Sequence, residues 1–214
     1  MTQHKFVSSF AWIVALLIAT PAVGQLLNHP VQALPVGDAA GTTFFFGAQW
    51  ARGLKDDSGK DNSFAGGVGR AMERVSFMAM GGYVASDLDE LTLGANVAVH
   101  LLSGDGTPVQ VSVQGGFGWV KFDDPETVTS FPIGVALQGR PSGNATTITP
   151  WVMPRLDIQH SSQFSSTETN FGAAAGLSVN SEGGAGVHLA IDWVHTDFFD
   201  PIRFAIGVHR MVGN

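Results

Sequence analysis

From residue 42 onward the chain alternates apolar residues with small or polar ones, in short segments that Gly-, Asp- and Ser-rich turns separate. In the clearest segment, Leu91 to Leu101, the odd-numbered positions hold Leu, Ala and Val and the even-numbered ones Thr, Gly, Asn, Ala and His. A period of two is typical of a β-strand, whose successive side chains point to opposite faces. Each segment has roughly the 9–11 residues that a tilted strand needs to cross a membrane. The pattern predicts an all-β, closed, antiparallel, up-and-down transmembrane β-barrel of about ten strands, with eight strands as the alternative.

The predicted strands follow one another with short connections. They are Thr42 to Arg52, Ser63 to Met72, Val75 to Ser86, Leu91 to Leu102, Val109 to Lys121, Thr129 to Gly139, Ile148 to His160, Thr169 to Asn180, Ala185 to Thr196 and Ile202 to Val212. Ten is an even number, as a single-chain bacterial barrel of this kind requires.

The N-terminus predicts export. Met1 to Lys5 is a short segment with one Lys, Phe10 to Ala19 is apolar, and Ala22-Val23-Gly24 is a small-x-small cleavage motif. The apolar run has only about ten residues, half of what a membrane-spanning helix needs. The expected organisation is therefore a signal peptide at residues 1–24, a periplasmic lead-in or short plug at 25–41, and the barrel at 42–214.

Composition narrows the functional classes. The net charge of −7, which becomes −8 without Lys5 of the leader, argues against nucleic acid as a partner. Because the chain has no Cys, it has no disulfide, no thiolate metal site and no lipoprotein anchor. It also lacks a P-loop, a dinucleotide fingerprint and a zinc motif, and no acidic loop has a regular ligand spacing, so we expect no cofactor and no metal site.

Acidic residues concentrate in alternate connections. With both termini in the periplasm, the outer loops are residues 53–62, 87–90, 122–128, 161–168 and 197–201. They hold 12 of the chain's 18 carboxylates: Asp56, Asp57, Asp61, Asp87, Asp89, Glu90, Asp123, Asp124, Glu126, Glu168, Asp197 and Asp200. This segregation predicts an acidic rim on the outer side, which could bind a surface ligand.

Aromatic residues cluster near the strand ends that border these acidic loops. Ring side chains prefer the headgroup level of a membrane, so the cluster predicts an outer aromatic girdle. Its members are Trp50, Tyr83, Trp119, Phe122, Phe131, Phe171, Trp193 and Phe198. Phe44 to Phe46, at the opposite end of the first strand, could contribute to an inner girdle; the alternative is that the aromatic residues belong to the core of a soluble barrel.

The segments from Thr42 to Asn214 resemble the small outer-membrane β-barrel proteins of Gram-negative bacteria, the OmpA/OmpX/opacity-like class. The resemblance depends on the alternation, on Gly-rich strands such as Gly115-Gly116-Phe117-Gly118, and on the closing strand from Ile202 to Val208. It implies location in the outer membrane, contact with its lipid and lipopolysaccharide, insertion by the barrel assembly machinery, and a monomer. The expected role is envelope-structural, surface-interacting or that of a narrow channel.

The strand parity places seven ionisable side chains in the lumen: His100, Arg155, Asp157, His188, Asp192, Arg203 and His209. An ionisable group in a lumen must be paired or hydrated, so Arg155, Asp192 and Arg203 are expected to form a charge network between neighbouring strands. One interpretation is a gate or selectivity element of a narrow pore. The other, which we favour, is a structural plug that fills the lumen and satisfies its own hydrogen bonds.

Two enzymatic alternatives stand beside the non-enzymatic interpretation. His160, Ser162 and Glu168 loosely resemble the His-x-Ser and carboxylate arrangement of outer-membrane lipid A deacylases, in which Ser attacks an ester and His is its base. Asp56 and Asp57, with His195 and Asp197, could resemble the site of outer-membrane aspartyl-type proteases, although the chain is short for that class.

Overall fold

The computed structural model describes residues 41–53, 60–85, 90–102, 107–121, 127–139, 146–162, 165–195 and 201–212. These form ten strands: β1 (Gly41–Gly53), β2 (Lys60–Ala71), β3 (Val75–Ala85), β4 (Glu90–Leu102), β5 (Val109–Lys121), β6 (Thr127–Gly139), β7 (Thr146–Ser161), β8 (Ser166–Ser181), β9 (Ala185–His195) and β10 (Pro201–Val212). Each pairs antiparallel with its sequence neighbours, and β1 also pairs with β10. The predicted closed ten-stranded barrel is confirmed, and the eight-stranded alternative is wrong. Among the described residues no helix is long and apolar enough to cross a membrane.

The pairing register sets the tilt of the strands and the width of the barrel. The stagger is found by starting at Gly41 and stepping from each residue to its paired residue on the next strand, around the whole barrel. With the β9–β10 register continued by one residue, this path returns to β1 at Gly53, twelve residues beyond its start. For ten strands this stagger corresponds to a tilt of roughly 40°, in the usual range for barrels. Residues at one height therefore lie about one position apart for each strand that is crossed.

Two names are used below for the ends of the barrel. The loop end is the end at which β1 reaches Gly53 and β7 reaches Ser161. The turn end is the opposite one, where residues 72–74 join β2 to β3 and residues 182–184 join β8 to β9. The second of these turns contains Gly184 with a φ of 74°, and its carbonyl accepts a hydrogen bond of 2.7 Å from the Met211 amide of β10.

The alternation seen in the sequence becomes a buried inner face and an apolar outer face. Large hydrophobic side chains point outward and are exposed on all ten strands, among them Phe46 (59%), Leu93 (47%) and Ile133 (54%). Of the residues considered for an inner girdle, Phe44 and Phe46 lie on this outer face. Phe45 between them points into the lumen and is buried, so its place in a girdle was wrong; its parity is opposite to that of its neighbours.

Prolines interrupt the pairing of β6 without shifting its register. The β5–β6 pairs stop at Gly115 and resume at Gly118, opposite Phe131 and Pro132. The described register shift lies elsewhere, between His100 and Leu102 where β4 meets β5. Because Pro has no N–H to donate to the backbone hydrogen bonds of the sheet, these interruptions are expected. They occur without a β-bulge, since neither strand has an extra residue there.

Candidate functional site

The first group of lumen residues is a set of charges near the loop end. The Arg155 Nη2 donates a hydrogen bond of 2.8 Å to the Asp192 Oδ1, and the two side chains are 3% and 1% exposed. The Arg203 Nη1 lies 4.0 Å from the Asp192 Oδ2. The small residues Gly172 and Ala174 of the intervening β8 leave space for Arg155 on β7 to reach Asp192 on β9.

A second carboxylate belongs to the same part of the lumen. Asp157 lies two residues after Arg155 on the same face, is fully buried, and accepts a hydrogen bond of 2.9 Å from the Gln159 Nε2. We call Arg155, Asp157, Asp192 and Arg203 the charged layer. Its formal charges balance, as an ionic cluster removed from water requires.

The lumen histidines form two further groups that do not contact the charged layer in the described contacts. The His188 ring is stacked on His209 at 6.0 Å between centroids and lies 4.9 Å from the ring of Phe45. His209 Nε2 is 2.6 Å from the Asn180 Oδ1. We call His188 and His209 the histidine pair; His188 precedes Asp192 by four residues, about 13 Å along β9.

Two glycines make room for the histidine pair. A Cβ added to Gly207 would overlap the rings of His188 and Phe45, and one added to Gly186 would overlap the ring of His209. The third group is separate from the histidine pair. In it, the Nε2 of His100 on β4 lies 2.8 Å from the hydroxyl oxygen of Ser76 on β3. The seven ionisable residues are thus distributed over three groups, and Arg155, Asp192 and Arg203 belong to the same one.

Sequence reasoning missed a layer of large apolar side chains that fills the middle of the lumen. Its members are buried and point inward, and we call them the apolar layer: Phe45, Met78, Met80, Trp151 and Met153. Strand parity could have identified them, because it had already identified the charged residues. A Cβ added to the small inward-facing residue Gly176 would overlap the Trp151 ring, so the space beside this glycine is occupied.

Small inward residues report how completely the lumen is filled. Ala98 and Ala136 are 0% exposed and Ala174 is 1% exposed. Ser130 and Thr92, nearer the loop end, are equally buried. A methyl group on the wall of a water-filled channel would be exposed, so other side chains must cover these residues.

The residues predicted for the aromatic girdle face outward where they are described. Tyr83, Phe131 and Phe171 are exposed near the loop end, and Trp119 and Trp193 are half-buried on the same outer face. The Phe131 ring contacts the neighbouring Phe117 at 5.5 Å between centroids. The side chain of Trp50, and Phe122 and Phe198 altogether, lie outside the described residues.

The residues suggested for a hydrolase are not brought together in the described contacts. The Ser162 hydroxyl accepts a hydrogen bond of 2.8 Å from the Thr127 amide, and His160 Nδ1 lies 3.1 Å from the Thr167 hydroxyl. Glu168 shares the parity of the inward residues of β8, whereas His160 is on the outward face of β7.

Several predictions fall on parts of the chain that the structure does not describe. These are the signal peptide, the lead-in up to residue 40, and most of the acidic loops, including Asp56, Asp57 and Asp197. Over the described ranges, no group of three His, Asp or Glu side chains could hold a metal ion.

Solved structures with a similar fold are membrane barrels. The β-domain of the Bordetella autotransporter BrkA has a TM-score of 0.50 at 10% identity, with 81% of this chain and 99% of that chain covered. The translocator domain of the autotransporter NalP from Neisseria meningitidis has a TM-score of 0.43 at 12% identity, with 79% of this chain and 88% of that chain covered. The N-terminal β-barrel domain of Pseudomonas aeruginosa OprF has a TM-score of 0.33 at 10% identity, with 78% of this chain and 96% of that chain covered. No protein-family model and no curated protein matches the chain. The likeness at these identities concerns the fold alone, which is the closed antiparallel fold of the outer-membrane β-barrels.

Proposed function

We propose that this protein is an outer-membrane β-barrel whose own side chains seal its lumen, and that its role is envelope-structural or surface-interacting. Support for the location comes from the apolar outer face, the fold and the predicted signal peptide. Exposed hydrophobic side chains on every strand would be unfavourable in water, whereas lipid tails solvate them.

The observation that carries the sealed lumen is the burial of its smallest wall residues. Ala98, Ala136 and Ala174 have almost no side chain with which to shield themselves, yet they are 0 to 1% exposed. They lie on three different strands, β4, β6 and β8. On the other side of the lumen, Ala65 of β2 is 2% exposed and Ala205 of β10 is 5% exposed. A water-filled path wide enough for solutes would pass beside at least one of these five alanines.

The two layers described above explain this burial. Barrels of about eight strands are just filled by side chains, so ten strands need large inward residues to close the lumen. The apolar layer supplies an aromatic ring from each of β1 and β7 and thioethers from β3 and β7. Next to it, the Arg155–Asp192 ion pair crosses β8 and closes the lumen toward the loop end.

A sealed barrel acts through its rims and its lipid face. The acidic loops of the sequence are the candidate contacts for a surface ligand, and the outward aromatic residues Tyr83, Phe131 and Phe171 are suited to the headgroup region. We propose that the barrel contacts lipopolysaccharide there, that the barrel assembly machinery inserts it, and that it is a monomer.

Single-channel recording in a planar bilayer tests the sealed lumen. The mature chain is refolded, its folded state is checked by the shift of gel mobility on heating, and current is recorded. We expect a folded barrel without discrete conductance steps. Reproducible steps from the unaltered protein would overturn the sealed lumen and favour the narrow channel.

A pair of matched variants shows that the recording can detect an open lumen. Trp151→Ala with Met153→Ala removes two members of the apolar layer, and we expect conductance steps from it. Phe131→Ala with Leu156→Ala removes similar volume from the lipid face, where both side chains are exposed. That control should remain silent; steps from the control as well would show leakage around the barrel.

We also propose that the barrel is not an enzyme, because the Ser162 hydroxyl is bonded to β6 and not to His160 in the described contacts. Incubation with purified lipid A, followed by mass spectrometry for loss of an acyl chain, provides the test. Deacylation by the native barrel that Ser162→Ala abolishes would reverse this conclusion and favour the hydrolase.

A further inference from the structure

Two arginines on the lipid-facing surface flank β1 near the turn end. Arg70 on β2 pairs with Thr42, and Arg210 on β10 pairs with Phe44. Both arginines are exposed and have the parity of the outward-facing residues Phe64, Val68 and Val208 of their strands.

Both arginines lie inside the apolar belt and not at its edge. Met72 follows Arg70 by two residues toward the turn end, and Val212 follows Arg210 by two residues; both are exposed hydrophobics. On the far side of the barrel the belt also reaches the turn end, with Leu101 and Ile148 exposed. A charge on the lipid face is unfavourable, most strongly at the midplane of a bilayer and least near its surface.

Neither arginine has a carboxylate partner in the described part of the protein. The ion pairs described there involve Arg155, Arg203 and Asp192 inside the lumen. The described carboxylates at this end, Glu73 and Glu182, lie in the turns. The described carboxylates therefore leave both charges unneutralised, and an anion at the depth of Arg70 and Arg210 would neutralise them.

The strand tilt brings the two guanidinium groups to one height. Arg70 and Arg210 are offset by two residues in the register across β1, and the stagger of the barrel compensates for about one residue per strand. Their Cα atoms are then roughly 12 Å apart. Two long side chains can converge over Thr42, whose own side chain is on the same outward face and only half-buried.

The surface next to the arginines suits acyl chains. Phe44, Phe46, Val68 and Val208 are exposed and lie directly beyond the arginines toward the middle of the belt. An amphiphile with an anionic headgroup on the guanidinium groups would lay its tails along these side chains. An inorganic anion would make only the first of these contacts.

We propose that Arg70 and Arg210 together bind the phosphate group of an anionic phospholipid in the leaflet at the turn end. The site rests on the membrane location proposed above. Guanidinium groups bind phosphate through paired, charge-assisted hydrogen bonds, and a lipid phosphate is the anion available at this depth.

Native mass spectrometry of the refolded barrel in detergent tests the site, with phosphatidylglycerol and phosphatidylcholine of identical acyl chains as probes. We expect a phosphatidylglycerol adduct at about tenfold lower lipid concentration than the phosphatidylcholine adduct. In Arg70→Gln/Arg210→Gln that preference should disappear. Equal retention of the two lipids by the native barrel would overturn the proposal.

Two further variants separate the site from general charge and from misfolding. Lys121→Gln removes an exposed cation from the outer face of β5 at the loop end and should keep the lipid preference. Arg70→Lys/Arg210→Lys keeps both charges but loses the paired guanidinium donors, so only part of the lipid preference should remain, and that remainder shows that changing both positions leaves the barrel folded. A Lys variant with the full preference of the native barrel would contradict the paired guanidinium contact.

Folding into vesicles distinguishes this proposal from the proposed location. If the native barrel inserts into phosphatidylcholine vesicles but shows no preference for phosphatidylglycerol, only the lipid site is contradicted. If it does not insert into vesicles of either composition, the membrane location fails and the lipid site fails with it.

Discussion

Trp151 of the apolar layer and Arg155 of the charged layer lie one above the other on β7, four residues apart, and both are buried. Trp151 belongs to a cluster of buried apolar residues with Met153 and with alanines of β6, β8, β9 and β10, and it needs no particular partner. The charge of Arg155 is stabilised in the same lumen only because its Nη2 lies 2.8 Å from the Asp192 Oδ1. The two layers exclude water equally well by different means.

This difference predicts different responses to damage. Loss of an apolar side chain leaves a cavity whose effect scales with its volume. Loss of one charge leaves its partner buried and uncompensated, and the effect is set by that partner. The charged layer should therefore be the more sensitive of the two.

The largest effect is expected at the carboxylate that both arginines approach. Asp192→Ala should lower the free energy of unfolding by about 4 kcal/mol, because it leaves Arg155 and Arg203 without their shared carboxylate. Urea titration of the refolded barrel in lipid vesicles measures this. Arg155→Met/Asp192→Leu, which removes both charges of the ion pair, should be less destabilised than Asp192→Ala. A double variant that is the less stable of the two would contradict the argument.

Trp151→Ala is expected to have the next largest effect. It should lower the free energy of unfolding by about 3 kcal/mol, at the lower end for loss of a buried Trp, because water can enter the cavity from the lumen. Trp151→Phe is the control: it keeps most of the ring and removes an indole N–H that has no hydrogen-bond partner among the described residues. Its free energy of unfolding should lie within about 1 kcal/mol of that of the native barrel. The same urea titration decides, and an equal loss in both variants would show that the N–H, and not the volume, matters.

Glycines on the two faces of the barrel provide the next contrast. A Cβ at Gly207 would meet the rings of His188 and Phe45, so Gly207→Ala should destabilise by about 2 kcal/mol through overpacking. Gly66 faces outward, and a Cβ there would make only ordinary contacts with Phe45 and Phe46, at 3.5 and 3.7 Å. Gly66→Ala should therefore leave the unfolding midpoint in urea nearly unchanged. Equal midpoints for the two variants would show that the lumen around His188 is loosely packed.

The fold could be predicted because the two faces of a membrane barrel impose a period of two on every strand. The predicted bounds of β5 and β10 agree with the structure to within one residue. β7 and β8 extend further, to Thr146–Ser161 and Ser166–Ser181, because backbone pairing continues where Ser and Thr on both faces hide the alternation.

The lumen could be predicted only in part, because parity gives direction and not neighbours. It identified Arg155, Asp192 and Arg203 as inward-facing, but the distance of His100 from them depends on the stagger of the whole barrel. The apolar layer was missed for another reason: strand parity points Phe45 inward, but this residue lies in an uninterrupted run of three Phe, all of which were considered for an inner girdle. The depth of Arg70 and Arg210 in the apolar belt could not be predicted from the sequence. It depends on the exposed positions of Met72 and Val212, which lie nearer the end of the barrel.

The smallest effect is expected in the third group of lumen residues. Ser76→Ala removes the hydroxyl that lies 2.8 Å from His100 and should lower the free energy of unfolding by about 1 kcal/mol, the usual worth of a neutral hydrogen bond. Because His100 shares no described contact with the charged layer, the effects of Ser76→Ala and Asp192→Ala should add to within about 0.5 kcal/mol in the double variant. The double-mutant cycle is measured in the urea titration used above. A coupling well beyond that value would join His100 to the charged layer in one network, and would mean that the charged layer is held in place by contacts from the turn end as well.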